Sequence, residues 1–240
     1  SVVIIPARYA STRLPGKPLL EIGGRPLIEH VYERAARARG ISAVVVATDD
    51  ERIFQAVRRF GGQVVMTAPT HPTGTDRIAE AAEAFDADVV VNVQGDEPLI
   101  PPEVVERVAA ILGPEEPAPM ASVMTRVRTP AEANSPSVVK VVVDQQGYAL
   151  YFSRYPIPFV REAGVKHLPY RHLGIYAYRR EFLRQYPHLP QTPLECLEML
   201  EQLRALEHGY RIRMVETDYV PVGVDTPEDL EHVRALMGSG

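Results

Sequence analysis

Apolar residues in the first half of the chain form short continuous runs separated by amphipathic stretches. The runs are rich in valine and isoleucine, which is typical of strands buried on both faces of a sheet. They lie at residues 2–5, 43–47, 64–66 and 89–93. The stretches between them repeat apolar side chains at helical spacing, at residues 26–40, 50–60 and 75–85. This alternation predicts an α/β fold with a mostly parallel, Rossmann-like sheet flanked by helices.

The pattern changes after residue 119, where strand-like runs follow one another without helices between them. These runs lie at residues 121–127, 138–143, 148–153 and 173–178. Asp144 to Gly147 has the composition of a hairpin turn, and residues 155–169 contain three prolines and favour an ordered loop. A helix at 193–207, a strand at 211–215 and a helix at 226–237 complete the prediction.

Charge and composition exclude several functional classes. The 240 residues carry a formal net charge of −5, which argues against a nucleic acid partner. No apolar run approaches the roughly 20 residues that a membrane span requires, so we expect no membrane partner. A single cysteine, Cys196, excludes an intrachain disulfide. Because the chain starts directly on a predicted core strand, we expect a soluble cytoplasmic protein.

The loop after the first predicted strand concentrates positive charge among small residues. Arg8, Arg13 and Lys17 lie within ten residues, together with Ala7 and Gly16. Cations offset phosphate charge and small residues let backbone amides approach it, so this loop predicts a nucleoside triphosphate site. The loop has neither the Walker A pattern nor the glycines of dinucleotide folds. The alternative is a solvated basic loop.

Two aspartates are candidate magnesium ligands. Asp96 comes just after the predicted strand at 89–93, at the sheet edge where ligands bind in parallel α/β folds. Mg²⁺ prefers oxygen ligands, usually one or two carboxylates with phosphate and water. Asp225 precedes a helix N-terminal pattern, so taken alone it is more simply a charge favoured by the positive helix end. Glu97 is equally compatible with a metal site and a turn.

Motifs along nearly the whole chain resemble the sugar-activating nucleotidyltransferases, and among them the 3-deoxy-manno-octulosonate (Kdo) cytidylyltransferase family. The first and last motifs are shared by the wider group, and the middle ones are more specific to the Kdo enzymes. The matching segments are residues 6–17, 74–77, 91–98, 148–154, 171–176, 193–195, 198–204 and 223–230. One segment departs from the usual Ser-Gly-Thr-Glu-Arg, since Thr73 and Asp76 replace the serine and glutamate while keeping their functional groups.

The resemblance implies a Mg²⁺-dependent enzyme that transfers CMP from CTP to the anomeric hydroxyl of Kdo and releases pyrophosphate, for lipopolysaccharide biosynthesis. It implies that Asp96 and Asp225 hold the metal, and that both act in catalysis with Lys17 and Arg13. The implied nucleotide contacts are Ala7, Arg8, Arg13, Lys17, Gly74, Asp76, Arg77 and Gln94.

The resemblance also implies a sugar site. Its implied contacts are Gln94, Arg154, His172, Tyr176 and Glu195. An arginine suits the sugar carboxylate, and residues 172 and 176 share one strand face with Gly174. Plainer explanations remain open, because a strand histidine is commonly a hydrogen-bonded core residue and Glu195 could serve a helix end. The run at 198–204 we interpret as part of a packed helix.

The domain organisation follows from both patterns. We expect a single nucleotidyltransferase domain over 1–240, with a nucleotide-binding half at 1–118 and a return to the main sheet at 191–240. The β-rich insert at 119–190 would form a lobe for sugar binding and dimerisation, since the family is homodimeric. Two alternatives stay open: a relative that activates another acid sugar, such as sialic acid or 8-amino-Kdo, and a nucleotide-binding regulator without turnover.

Overall fold

The predicted sheet is present in the structure, a computed structural model that describes residues 1–10, 14–162 and 168–238. Its strands, in chain order, are β1 (Val2–Ala7), β2 (Glu21–Ile22), β3 (Arg25–Pro26), β4 (Ala43–Thr48), β5 (Gln63–Met66), β6 (Val89–Asn92), β7 (Met120–Arg126), β8 (Lys140–Val143), β9 (Ala149–Ser153), β10 (Tyr170–Arg179) and β11 (Ile212–Glu216). Strands β2 and β3 form a small antiparallel ribbon, and the other nine described strands belong to one sheet.

The order of the main sheet is β11-β7-β10-β6-β1-β4-β5, with the β8–β9 hairpin attached to β10 through β8. Strands β6, β1, β4 and β5 run parallel, and β11 runs parallel to β7. Strand β10 is antiparallel to both of its neighbours in that order. The mostly parallel sheet predicted from the sequence is therefore confirmed.

Helices cover both faces of the sheet. They are α1 (Leu27–Ala36), α2 (Glu51–Arg59), α3 (Gly74–Ala82), α4 (Pro102–Ala110), α5 (Pro130–Asn134), α6 (Arg180–Gln185), α7 (Pro193–Glu198), α8 (Gln202–Glu207) and α9 (Pro227–Gly238). In β1, Val3 and Ile5 pack with α1, α2 and α4, while Val2 and Ile4 pack with α3, α6 and α8 on the other face. Burial on both faces explains why this strand has a continuous apolar run rather than an alternating one.

One feature differs from the predicted pattern. The single helix expected at 193–207 is broken into α7 and α8, with Met199 between them at a φ of 53°. The break lies beside Glu198, whose carboxylate accepts hydrogen bonds from the Ser153 hydroxyl at 2.6 Å and the Arg154 amide at 2.9 Å. These contacts with the end of β9 override the helical spacing of the leucines.

Among the described residues, the segment 119–190 supplies β7 and β10 to the main strand order, between β11 and β6. The β8–β9 hairpin attaches to β10 outside that order. The predicted hairpin turn is present, with the Gly147 amide donating to the Asp144 carbonyl at 3.0 Å. Among the described residues, no helix is both long enough and apolar enough to cross a bilayer.

Candidate active site

The candidate active site lies where the carboxyl ends of β1 and β6 meet the segment after β11. The loop after β1 closes on itself, because the Gly16 amide donates to the Tyr9 carbonyl at 3.0 Å. Gly16 has a φ of 69°, a conformation that glycine adopts without strain, and it starts a short 3₁₀ turn at Lys17–Leu19. On the far side, the Val224 amide donates to the Asp96 carbonyl at 2.9 Å and fastens the segment before α9 to the loop after β6.

Lys17 joins the two candidate metal ligands. Its Nζ atom lies 2.7 Å from Asp96 Oδ2 and 3.1 Å from Asp225 Oδ1, although the three residues are far apart in the sequence. Burial opposes the charge on this ammonium, but the two carboxylates raise the pKa of Lys17 above its usual value. The expected convergence of Asp96 and Asp225 is therefore confirmed as geometry, while their metal ligation stays a prediction.

The donor set of this cluster fits Mg²⁺. Two carboxylates from separate loops hold one cation between them, which is the Lys17 ammonium in this arrangement. The Asp96 and Asp225 side chains are 28% and 48% exposed, so phosphate oxygens and water could complete an oxygen shell. Among the described residues, no group of three or more His, Cys, Asp or Glu side chains is arranged to hold a metal.

The start of α9 has its own capping residues beside Asp225. The Asp229 carboxylate accepts from the amides of Asp225 and Thr226 at 3.0 and 2.8 Å, and the Asp229 amide donates to the Thr226 hydroxyl at 3.2 Å. This is the reciprocal pattern of a capping box, with Thr226 and Asp229 as its partners.

Glu97 has a different role from its neighbour Asp96. The Tyr219 hydroxyl donates to its carboxylate at 2.8 Å. Burial is the main cause that raises the pKa of Glu97 to about 7, and the charge of Asp96 adds to it. Glu97 thus pairs with Tyr219, whereas Asp96 pairs with Lys17.

The predicted nucleotide residues line the same sheet edge. Ala7 is buried at the end of β1, and Arg8 donates to the His71 carbonyl at 2.9 Å. Gly74 begins α3, where Asp76 forms a capping box with Thr73. Nucleotide contact by these residues stays a prediction. Arg13, also predicted to contact the nucleotide, lies outside the described residues.

Arg77 is fully buried, which is not the placement of a simple nucleotide contact. Its guanidinium donates to the Asp49 carboxylate at 2.8 Å and to the Thr67 hydroxyl, both beyond the ends of neighbouring strands. The side chain therefore ties the loops after β4 and β5 to α3. A direct contact with a nucleotide would require its exposure, and that contact stays a prediction.

Three of the predicted sugar residues meet around the middle of β10. The Gln94 side-chain amide donates to the Gly174 carbonyl at 3.1 Å, and the rings of His172 and Tyr176 lie 5.4 Å apart. His172 is buried against the Ser122 hydroxyl, 2.8 Å from its Nε2 atom. Burial lowers the pKa of this imidazole to about 3, so it is neutral near physiological pH.

Arg154 and Glu195 are bound to other parts of the protein. Arg154 Nε donates to the Glu198 carbonyl at 2.8 Å. Both carboxylate oxygens of Glu195 accept from Arg204, and the pair is almost completely buried. This ion pair fixes α7 against α8 and gives Glu195 a structural role. Sugar contact by either residue stays a prediction.

Sequence reasoning missed four polar residues that support this region. They are Ser122, Lys140, Glu201 and Gln202, all largely buried and all hydrogen-bonded to the neighbourhood of predicted site residues. Glu201 and Gln202 lie in the family-like run at 198–204, where their polarity inside a leucine-rich stretch was the available signal. Ser122 and Lys140 are isolated polar residues inside apolar strands and gave no distinct signal.

Comparison with known proteins agrees with this geometry. The model of the cytidylyltransferase family matches residues 2–212. The 3-deoxy-manno-octulosonate cytidylyltransferase of Geobacter sulfurreducens is 55% identical over 240 residues and covers 96% of each chain. The enzyme of the same name from Solibacter usitatus is 50% identical over 234 residues, covering 98% of this chain and 93% of its own.

A solved structure gives the same assignment. The structure of CMP:2-keto-3-deoxy-manno-octonic acid synthetase complexed with CTP is 49% identical, has a TM-score of 0.95, and covers 99% of this chain and 98% of its own. The inositol-1-phosphate CTP transferase from T. maritima, at 14% identity and a TM-score of 0.69 over 98% of this chain and 94% of its own, shows the shared fold alone. The chain therefore belongs to the cytidylyltransferase family, and within it to the 3-deoxy-manno-octulosonate cytidylyltransferases.

Proposed function

We propose that this protein transfers CMP from CTP to the anomeric hydroxyl of Kdo and releases pyrophosphate. The observation that carries the proposal is the convergence of Lys17, Asp96 and Asp225 at the carboxyl edge of the sheet. Close relatives named for this reaction, one of them solved with CTP, support it. The proposed setting is lipopolysaccharide biosynthesis in the cytoplasm.

The chain's own residues would bind and orient the two substrates. The anomeric hydroxyl attacks the α-phosphorus in line, a new P–O bond forms, and the bond to the bridging oxygen of pyrophosphate breaks. Lys17 and Arg13 would offset the charge that develops on the leaving pyrophosphate. Asp96 and Asp225 would hold Mg²⁺, which when bound supplies positive charge to the transferring group and favours ionisation of the attacking hydroxyl.

The sugar would lie beside β10, next to the metal ligands. Gln94 lies two residues after the end of β6, and its side-chain amide contacts the Gly174 carbonyl on the strand that carries Tyr176. This contact supports a sugar site between Asp96 and that strand. Arg154 would pair with the sugar carboxylate once its backbone-carbonyl contacts are exchanged for the ligand.

A substrate panel tests this proposal. Pyrophosphate release would be measured with each of the four nucleoside triphosphates against Kdo, 8-amino-Kdo, sialic acid and a hexose phosphate, with and without Mg²⁺. We expect turnover with CTP, Kdo and Mg²⁺ together. Turnover with a different sugar and not with Kdo would contradict the assigned substrate, and CTP binding without turnover on any sugar would favour a regulator.

We also propose that the protein is a homodimer through the excursion between β9 and β10. Tyr155 and Phe159 are 76% and 87% exposed, among prolines and other apolar residues. Exposed apolar patches of this kind mark interaction sites. Phe159→Asp should convert the dimer to a monomer in sedimentation analysis, whereas the surface variant Glu115→Gln should remain dimeric. A monomeric wild-type protein would contradict this proposal.

A further inference from the structure

A side-chain stack joins the loop after β1 to helix α2. The guanidinium carbon of Arg52 lies 3.2 Å from the centre of the Tyr9 ring. Tyr9 belongs to the loop that follows β1, and Arg52 lies in the first turn of α2. A guanidinium over an aromatic ring is attracted by the negative charge of the ring face. The stack therefore attaches the loop that carries the predicted phosphate contacts to a helix.

Arg52 is fixed from the helix side by Asp50. Its Nε atom and one terminal nitrogen donate to the two carboxylate oxygens of Asp50 at 2.9 and 2.7 Å. The same carboxylate accepts from the Arg52 amide at 2.9 Å, which makes Asp50 the N-cap of α2. A planar guanidinium with a two-point contact has a defined orientation. Arg52 therefore presents a prearranged flat surface to the Tyr9 ring, although its side chain is 59% exposed.

Tyr9 also contacts the backbone that precedes Lys17. The Gly16 amide donates to the Tyr9 carbonyl at 3.0 Å. A Cβ atom at Gly16 would lie 3.1 Å from Cε2 and Cζ of the Tyr9 ring, so a side chain there would push the ring away. The Gly16 carbonyl in turn accepts from the Leu19 amide at 2.8 Å, in the turn that contains Lys17. The position of the ring is therefore linked to the backbone of Lys17.

The two cations of the described part of this loop are the direct neighbours of the residues in contact. Arg8 precedes Tyr9, and Lys17 follows Gly16. Both cations are predicted contacts of the triphosphate, and a loop keeps a defined conformation only where contacts hold it. Fixing such a loop before the ligand arrives lowers the entropy cost of binding.

We infer that Tyr9 and Arg52 are positioning residues that hold the loop after β1 in the conformation that binds the triphosphate. The inference rests on the proposed function for the identity of the nucleotide. Neither side chain needs to contact CTP, because Arg52 orients the Tyr9 ring and the ring supports the backbone beside Arg8 and Lys17. Loss of the stack keeps every predicted contact residue and makes the loop harder to order. The expected effect is weaker CTP binding with little change in kcat at saturating CTP.

The experiment compares Arg52→Ala, Tyr9→Leu, Tyr9→Phe and the double variant of the first two with the control Arg59→Ala. Arg59 is an exposed arginine at the last position of α2 and lines the same cavity as Arg52, so it reports the loss of one positive charge on this helix. CTP affinity would be measured by calorimetry without sugar, and kcat and both KM values by pyrophosphate release. A cation–π contact at an exposed site corresponds to about a three- to fivefold change in an equilibrium constant.

Arg52→Ala should weaken CTP binding by that factor and Tyr9→Leu by at least as much, whereas Tyr9→Phe, which keeps the ring, should retain most of the affinity. The double variant should lose no more than Tyr9→Leu alone, because both changes break the same contact. Arg59→Ala should bind CTP within about 1.5-fold of the wild-type protein, since an exposed charge is largely screened. In all variants, kcat and KM for Kdo should stay within about 1.5-fold of wild type.

Wild-type CTP affinity in Arg52→Ala would overturn the inference, and so would additive losses in the double variant or an equal loss in Arg59→Ala. Because the Arg52 side chain is largely exposed, Arg52→Ala decides the question even if Tyr9→Leu does not fold. Turnover with another sugar and not with Kdo would refute the proposed function instead, since CTP affinity alone decides the inference.

Discussion

Lys17 and Lys140 show two ways in which this fold uses a cation. Lys17 is held by the carboxylates of Asp96 and Asp225 at a half-open edge of the sheet. Lys140 is completely buried, and its Nζ atom donates to the carbonyls of Ser135, Val138 and Arg154. The carboxylates raise the pKa of Lys17, whereas burial lowers that of Lys140.

The difference distinguishes a lysine that is available to a ligand from a lysine that stabilises the fold. Ion pairs between partly exposed side chains contribute little to stability, so the cluster at Lys17 can exchange its partners for a substrate and a metal at small cost. A buried ammonium that satisfies three carbonyls cannot be released without leaving those groups unpaired. Lys140 therefore fixes the backbone of Arg154, and Lys17 remains available to a ligand.

The largest expected effect is loss of turnover at the exposed cluster. Asp96→Asn and Asp225→Asn should each lower kcat about a hundredfold or more, because each removes a charge on which the proposed metal depends. Both changes should leave the free energy of unfolding within about 1 kcal/mol, since the carboxylates are partly exposed. Steady-state pyrophosphate release and thermal melts would measure the two effects. Wild-type rates in both variants would remove the metal proposal.

Substituting each of the two lysines compares their effects on stability and on turnover. Lys140→Met should lower the free energy of unfolding by about 2–3 kcal/mol, because it leaves three carbonyls without their donor. Lys17→Met should change stability by less than about 1 kcal/mol while losing most of the turnover. Denaturant unfolding and initial rates would be measured for both. Equal stability losses would contradict the distinction between the two sites.

A smaller effect is expected at Arg154, whose carbonyl accepts from Lys140. Arg154→Ala should raise KM for Kdo about tenfold and leave CTP affinity within about twofold, because its proposed partner is the sugar carboxylate. Arg37→Ala on the surface of the nucleotide half is the matched control. A fall in CTP affinity instead would show that the division between nucleotide and sugar residues is wrong.

The smallest effect is the pH dependence set by His172. Its folded-state pKa is about 3 against an ordinary value of 6.5, so below pH 6.5 the unfolded chain binds a proton that the folded protein does not. The stability contributed by the neutral imidazole is therefore present above pH 6.5 and is lost as the pH falls. The expected loss is about 1 kcal/mol between pH 6.5 and about 5.5, relative to His172→Asn. Parallel pH profiles of the two proteins would contradict this.

The hydrophobic pattern alone determined the sheet, the helices of the first half and the loops at the carboxyl ends of the strands. It succeeds there because buried parallel strands require continuous apolar runs, and because ligands bind where such strands end. The positions of Lys17 and Asp96 next to their strands could therefore be predicted from the sequence. Family resemblance added Asp225, whose local pattern alone favoured a helix-end charge.

Only the tertiary structure decided which side chains face one another. It placed Asp225 beside Lys17, gave the capping role to Asp229, buried Arg77 against Asp49, and paired Glu195 with Arg204. It also broke the helix at Met199, which no local propensity indicates. Contacts between distant segments depend on how the chain packs. A one-dimensional pattern of polar and apolar residues does not encode which side chains will contact one another.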